Sequence, residues 1–185
     1  MIIVCGDFAS PGERGTGAAE IARRAAVVGA GVQLVSVVAD EADDDAWLLE
    51  LGTAGVGHAA VLRESPRPIE GADLDLALRY LPDIRVIVVV DAAAEVEAVA
   101  ADHAGWSGMQ LIIVRRAHLR EAAEPAEGAD GGDASAPAIV LEAPSSDPDG
   151  TFAGFVGALA ARLDGGATPA DAWAETSREL AVDPA

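Results

Sequence analysis

The sequence predicts an α/β fold, a three-layer sandwich with a mostly parallel sheet. Short apolar runs alternate with amphipathic or capped stretches along the chain. Several runs are apolar at successive positions, the profile of strands buried on both faces. The length, 185 residues at 51% apolar content, suits a single domain with a sizeable core. No internal repeat is present.

Taken in order, residues 2–5 form a short buried strand closed by Gly6-Asp7. After a loop rich in Gly, Ser and Pro, Ile21, Ala25 and Val28 step by four and three, predicting a helix over 17–28 that stops at Gly29. Residues 32–38 read as the second strand. Asp43, Asp44 and Asp45 precede a helix over 46–51, where acids favour the positive end of the macrodipole. Residues 56–62 read as a strand, 74–81 as a helix, and 86–90 as the clearest buried strand. A helix over 92–103 and a strand over 111–114 follow. Residues 121–137 are poor in bulky apolar side chains and read as a mobile linker. The last strand spans 138–141. Phe152, Phe155, Val156, Leu159 and Leu163 then mark an amphipathic helix from Gly150 to Gly165. Thr168-Pro169 opens the final helix with a cap residue and a first-turn proline.

Composition narrows the function. With 12 Arg, no Lys and 31 Asp+Glu the formal charge is −19, which argues against gripping nucleic acid or anionic lipid. Without lysine there is no Schiff base and no phosphate-loop lysine. One cysteine, Cys5, excludes internal disulfides and reads as a small buried hydrophobe. His58, His103 and His118 lack ligand spacing, so no metal site is expected. No apolar run reaches membrane-spanning length and the start lacks a basic leader, so a soluble cytoplasmic protein is expected.

Three stretches resemble, in order, the carbohydrate kinases of the ribokinase (PfkB) family. Gly15-Thr-Gly17-Ala-Ala-Glu20-Ile-Ala22, followed by Val28-Gly29-Ala30, resembles the family's glycine-rich sugar motif. Residues 39–43, with Asp40, then Leu49, Leu51 and Gly55-Val56, are similar to its Gly-Asp-Asp segment. Ser146-Asp147-Pro148-Asp149-Gly150-Thr151-Phe152-Ala153-Gly154 is similar to the signature that opens its catalytic helix. The resemblance covers about half the chain. It implies a ribokinase-like fold, ATP and Mg as cofactors of an active member, and phosphoryl transfer to a sugar or nucleoside hydroxyl. It also implies a signature aspartate acting as base beside an anion hole of glycine amides.

The departures fall on that chemistry. Gly150 stands at the position of the catalytic aspartate, and Asp147-Pro148-Asp149 replaces the run that resemblance makes Gly-Ala-Gly. A phosphate cradle needs bare amides and a positive field, whereas here a proline removes a donor and two carboxylates add negative charge. Losing a general base costs about 10²–10⁴ in rate, or roughly 3–5 kcal/mol. A displaced base at Asp147 or Asp149 would be rotated by about 100° per residue on a helix. Glu20 stands where the family has its sugar-binding asparagine. Residues 7–14 are too few for the family's β-lid, and much of the nucleotide-binding half has no counterpart, so the domain reads as truncated.

Other readings compete. Gly15 and Gly17 with Asp40 could serve a dinucleotide-binding fold, but Glu20 replaces the third glycine of that fingerprint. The Asp43–45 run reads as a solvated helix start rather than a cation site. Arg115 and Arg116, with Arg120, suit either an anion beyond a strand end or local ion pairs. Trp47, Trp106 and Trp173 read as core or interface packing, and His103 as a charge near a helix end. The reading that results is a non-catalytic ribokinase-like domain that binds a small ligand in the cleft at the strand C-termini or assembles with itself or a protein partner. The ligand-contacting candidates are Asp7, Gly15, Gly17, Glu20, Asp40 and Thr151. A residual sugar or nucleoside kinase and a dinucleotide-binding protein are the alternatives. Any homodimer is expected to use a face other than a lid, such as a bare sheet edge.

Overall fold

The structure is a computed structural model that describes residues 1–8, 17–65, 67–116 and 138–180. Six strands, β1 (Ile2–Gly6), β2 (Val32–Val38), β3 (Val56–Arg63), β4 (Val86–Val90), β5 (Gln110–Arg116) and β6 (Ala138–Ala143), form one sheet in the order β3-β2-β1-β4-β5-β6. Every pairing is parallel. The chain moves outward from β1 to β3, then crosses to β4 on the other side of β1, so the order reverses between β1 and β4. Helices α1 (Ala18–Val27), α2 (Ala42–Thr53), α5 (Thr151–Asp164) and α6 (Pro169–Leu180) cover one face; α3 (Gly71–Tyr80) and α4 (Ala94–Ser107) cover the other. Alternate residues of the central strands feed the two cores: Ile2, Val4, Val86 and Val88 pack under α1 and α5, while Ile3, Cys5, Ile87 and Val89 pack under α3 and α4. That double coverage is why β1 and β4 read as unbroken apolar runs.

Several boundaries and roles move for identifiable reasons. α2 starts at Ala42, so Asp43, Asp44 and Asp45 lie within its first turn. α3 starts at Gly71 because Asp73 accepts the Glu70 amide at 3.0 Å and is itself clamped by Arg67 at 2.7 and 3.1 Å. α4 runs to Ser107, stopped by Gly108 at φ +67°. His103 therefore lies inside α4 and contacts Asp75 of α3 at 2.9 Å, a correction to its reading as a helix-end charge. Trp47 is core, Trp106 at 91% exposed lies outside the core, and Trp173 meets Phe155 edge-on at 5.1 Å. Cys5 is fully buried and burial pushes its thiol pKa far up. All described strands belong to the one sheet, and no lid sheet occurs among the described residues. The proposed linker, 121–137, lies outside them. No described helix is long and apolar enough to cross a membrane.

Candidate functional site

Open parallel sheets place ligands beyond the strand C-termini, where the strand order reverses. Here that point lies between β1 and β4, with α1 and α5 starting at the same end. The two helices approach closely because Gly157 carries no side chain: a Cβ there would stand 2.7 Å from the Ala25 nitrogen. Their packing brings the start of α5 against the side chains of α1.

The α5 start is filled by the chain itself. Beyond β6 the backbone turns through residues 144–149 to Gly150, whose φ of +65° is the left-handed conformation that glycine adopts without strain. Asp147 is only 8% exposed, and its two carboxylate oxygens accept the amides of Phe152 at 3.1 Å and Ala153 at 3.0 Å. These are the second and third amides of α5, the donors an incoming anion would need. Gly150 N–H donates to the Asp147 carbonyl at 3.1 Å. Pro148 has no N–H to offer.

Arg24 of α1 locks this turn. Its Nη2 donates to the Asp149 carbonyl at 2.9 Å and its Nε to Glu20 at 2.8 Å. Glu20 also accepts from Arg23 at 2.6 and 2.8 Å. Burial alone would raise the Glu20 pKa, but the hydrogen bonds and charges of Arg23 and Arg24 together outweigh it and hold the carboxyl below its usual range. A Cβ on Gly150 would stand 2.3 Å from Arg24 Nη2, so the guanidinium occupies the space a catalytic side chain would need.

The remaining candidates are dispersed. Gly17 is buried and is the N-cap of α1, with no side-chain cap hydrogen bond; Gly15 lies outside the described residues. Thr151, the first residue of α5, is exposed. Asp7 is exposed and accepts the Ile69 amide at 3.3 Å. Asp40, just beyond β2, is 92% exposed and 3.5 Å from Arg63. Glu20, Asp147, Asp149 and Gly150 thus come together through Arg24, whereas Asp7 and Asp40 do not join them. Arg115 pairs with Glu97 at 2.5 and 3.0 Å and Arg116 with Asp91, so of the two readings for this arginine pair the local ion pairs hold.

Two residues escape sequence reasoning. Arg24 is visible only as the i+4 partner of Glu20, a spacing that suggests an ordinary helix ion pair. Asp91 follows β4 with φ +48°, and its nearly buried carboxylate accepts the Arg116 amide at 2.7 Å. An aspartate after a strand gives no hint of that conformation.

The fit to ATP and Mg fails at α5. The Phe152 and Ala153 amides are taken, Gly150 offers no carboxylate, and Arg24 is committed to the turn. Among the described residues no group of three His, Cys, Asp or Glu side chains could hold a metal ion.

No protein-family model and no curated protein matches the sequence. Solved structures do match. Sa239 is similar at 13% identity and a TM-score of 0.64, over 100% of this chain and 94% of that one. Aminoimidazole riboside kinase from Salmonella enterica, complexed with aminoimidazole riboside and an ATP analog, matches at 11% identity and a TM-score of 0.61, over 97% and 90%. An E. coli protein assigned as ribokinase II, in complex with ATP and Mg2+, matches at 11% and 0.58, over 98% and 91%. At such identities the likeness concerns the fold alone, and the fold of this chain is that of the ribokinase-like kinases.

Proposed function

We propose that the chain is a non-catalytic ribokinase-like domain, a cytoplasmic module that binds a small ligand or assembles with another protein. The observation that supports it is the position of Asp147. A carboxylate bound to two helix-start amides is a built-in anion, and a transferring phosphoryl group would have to displace it against charge repulsion. With Gly150 in place of a base, neither component of the phosphoryl-transfer chemistry that the resemblance implies is present. The test is ADP release from Mg-ATP across a panel of sugars and nucleosides. No release above background is expected; saturable release with any hydroxyl substrate overturns the reading.

Two other readings rest on specific observations. The solved neighbours that hold ATP or its analog favour a residual kinase. The strand order 3-2-1-4-5-6 is the one found in dinucleotide-binding folds. Against the latter, Glu20 is committed to Arg23 and Arg24, and Asp40 lies beside Arg63. Saturable NAD(P)H fluorescence enhancement lost in Asp40→Ala would establish it. For self-assembly, the β3 edge is blunted by an irregularity between Gln33 and Val35, which leaves the β6 edge, with Val140 55% exposed, as the pairing edge. Light scattering that shows a monomer at high concentration removes that option.

A further inference from the structure

An open groove of about 590 Å3 lies between α2 and the outer strand β3, away from the α5 turn. One wall is α2, which contributes Leu48 and the 73% exposed Leu49; Val61 of β3 continues the apolar surface. Gly52 is bare beside His58, and a Cβ there would stand 3.4 Å from the imidazole. Thr53 and His58 line one end, Asp45 and Arg63 the other. A side chain at position 52 would close the end near His58.

The strand irregularity builds this lining. From Gln33 to Val35 β2 advances two residues, while the paired β3 advances three, from Gly57 to Ala60. The extra residue reverses the alternation of side chains. Val61 and Arg63 therefore share the α2 side with His58; without the bulge they would face the opposite layer. The volume falls within the range of small-molecule sites, roughly 300–1,000 Å3.

Charge selects the occupant. Arg63 stands 2.6 Å from Asp45 and 3.5 Å from Asp40, and those carboxylates are 53% and 92% exposed. Two acids share one guanidinium, so this end keeps a negative excess on a chain already at −19. We propose that the α2–β3 groove binds a small apolar amine, its hydrocarbon body against Leu48, Leu49 and Val61 and its ammonium at Asp45 and Asp40. This goes beyond the proposed function and stands separately from it, since phosphoryl transfer at α5 would leave the groove untouched.

Two probes of matched shape and opposite charge test it, 2-phenylethylamine and 3-phenylpropionate, each titrated into the 15N-labelled protein while amide shifts are followed. The amine is expected to move amides within residues 45–63 saturably, and the acid to leave them in place. Asp45→Asn should weaken the amine about five- to tenfold, the loss of one partly solvated charge contact. The same change leaves Arg63 only its longer 3.5 Å contact with Asp40 and removes the negative excess, so repulsion of the acid should fall. Gly52→Leu should abolish amine binding while keeping or raising Tm, because leucine is the better helix residue. Equal shifts from both probes, no shifts at millimolar amine, or amine binding that survives Gly52→Leu would each overturn the proposal.

Discussion

Two concave places on this molecule received opposite treatment. At the start of α5 the chain supplies its own ligand: Asp147 takes the Phe152 and Ala153 amides and Arg24 pins the turn. Between α2 and β3 it leaves a hollow, with a glycine where a side chain could have filled it. The first is a polar site satisfied internally, as buried polar groups must be. The second stays open although part of its wall is apolar, because position 52 carries no side chain to fill it. The contrast shows that resemblance to kinases locates a place in the fold, while hydrogen-bond satisfaction decides whether that place is available.

The largest effect is expected at Asp147. Asp147→Ala removes the acceptor for two helix-start amides and should cost about 2 kcal/mol, a fall of about 4–8 °C in Tm for a chain of this size. A neutral result in thermal denaturation would mean that the turn is not held by this carboxylate, and the contrast with the groove would collapse. Gly150→Asp, which places a carboxylate at the family's catalytic position, should cost about 1–2 kcal/mol for the left-handed backbone alone, before Arg24 is displaced. It should also leave ATP turnover at background, because Asp147 still fills the amides. A gain of activity in that single variant would show that the α5 start is more accessible than its hydrogen bonds allow.

How much of this was legible depends on the kind of signal. Residues 86–90 were placed at their observed limits because a continuous β-branched run needs burial on both faces, and residues 32–38 because Gly31 and Ala39-Asp40 bound a valine-rich stretch. The substitutions at Asp147, Pro148 and Gly150 were legible as departures from a motif, and the structure gives them a sharper sense: Asp147 does more than repel phosphate, since it occupies the amides. Arg24 was not legible, because its decisive contact, the Asp149 carbonyl, lies 125 residues away in sequence. The groove was hidden for a different reason. A one-residue slip in alternation within β3 is invisible in Val-Gly-His-Ala-Ala-Val-Leu-Arg, where either parity reads as a plausible strand.

A smaller effect should come from Glu20, the carboxylate that holds Arg24 in place. Its folded-state pKa lies below the ordinary 4.5, so its contribution to stability is complete above that value and is lost as pH falls through the lower folded value. Glu20→Gln should therefore be destabilised by about 1 kcal/mol at neutral pH and converge with the wild type in acid. Urea denaturation across pH reads this directly. Parallel curves at all pH values would mean that Arg24 is positioned without Glu20, and that the lock on the α5 turn is weaker than its geometry.

The smallest effect tests what internal closure leaves outside. Arg23, Arg24, Arg63, Arg67, Arg79, Arg115, Arg116 and Arg162 all face carboxylates. Cations spent on joints such as the α5 turn cannot offset the remaining acids, and the chain keeps a charge of −19. Salt then acts in two directions, weakening exposed pairs and screening the repulsion among unpaired acids. Exposed pairs contribute little singly, whereas repulsion is summed over the whole surface, so screening should win. Raising NaCl from 50 to 500 mM should add about 0.5 kcal/mol, about 1–2 °C in Tm, and the gain should level off once the Debye length falls below the spacing of surface acids. A fall in Tm over the same range would place the larger share of the electrostatic stability in the pairs, the locked turn included, and would make the closed site the more salt-sensitive of the two regions.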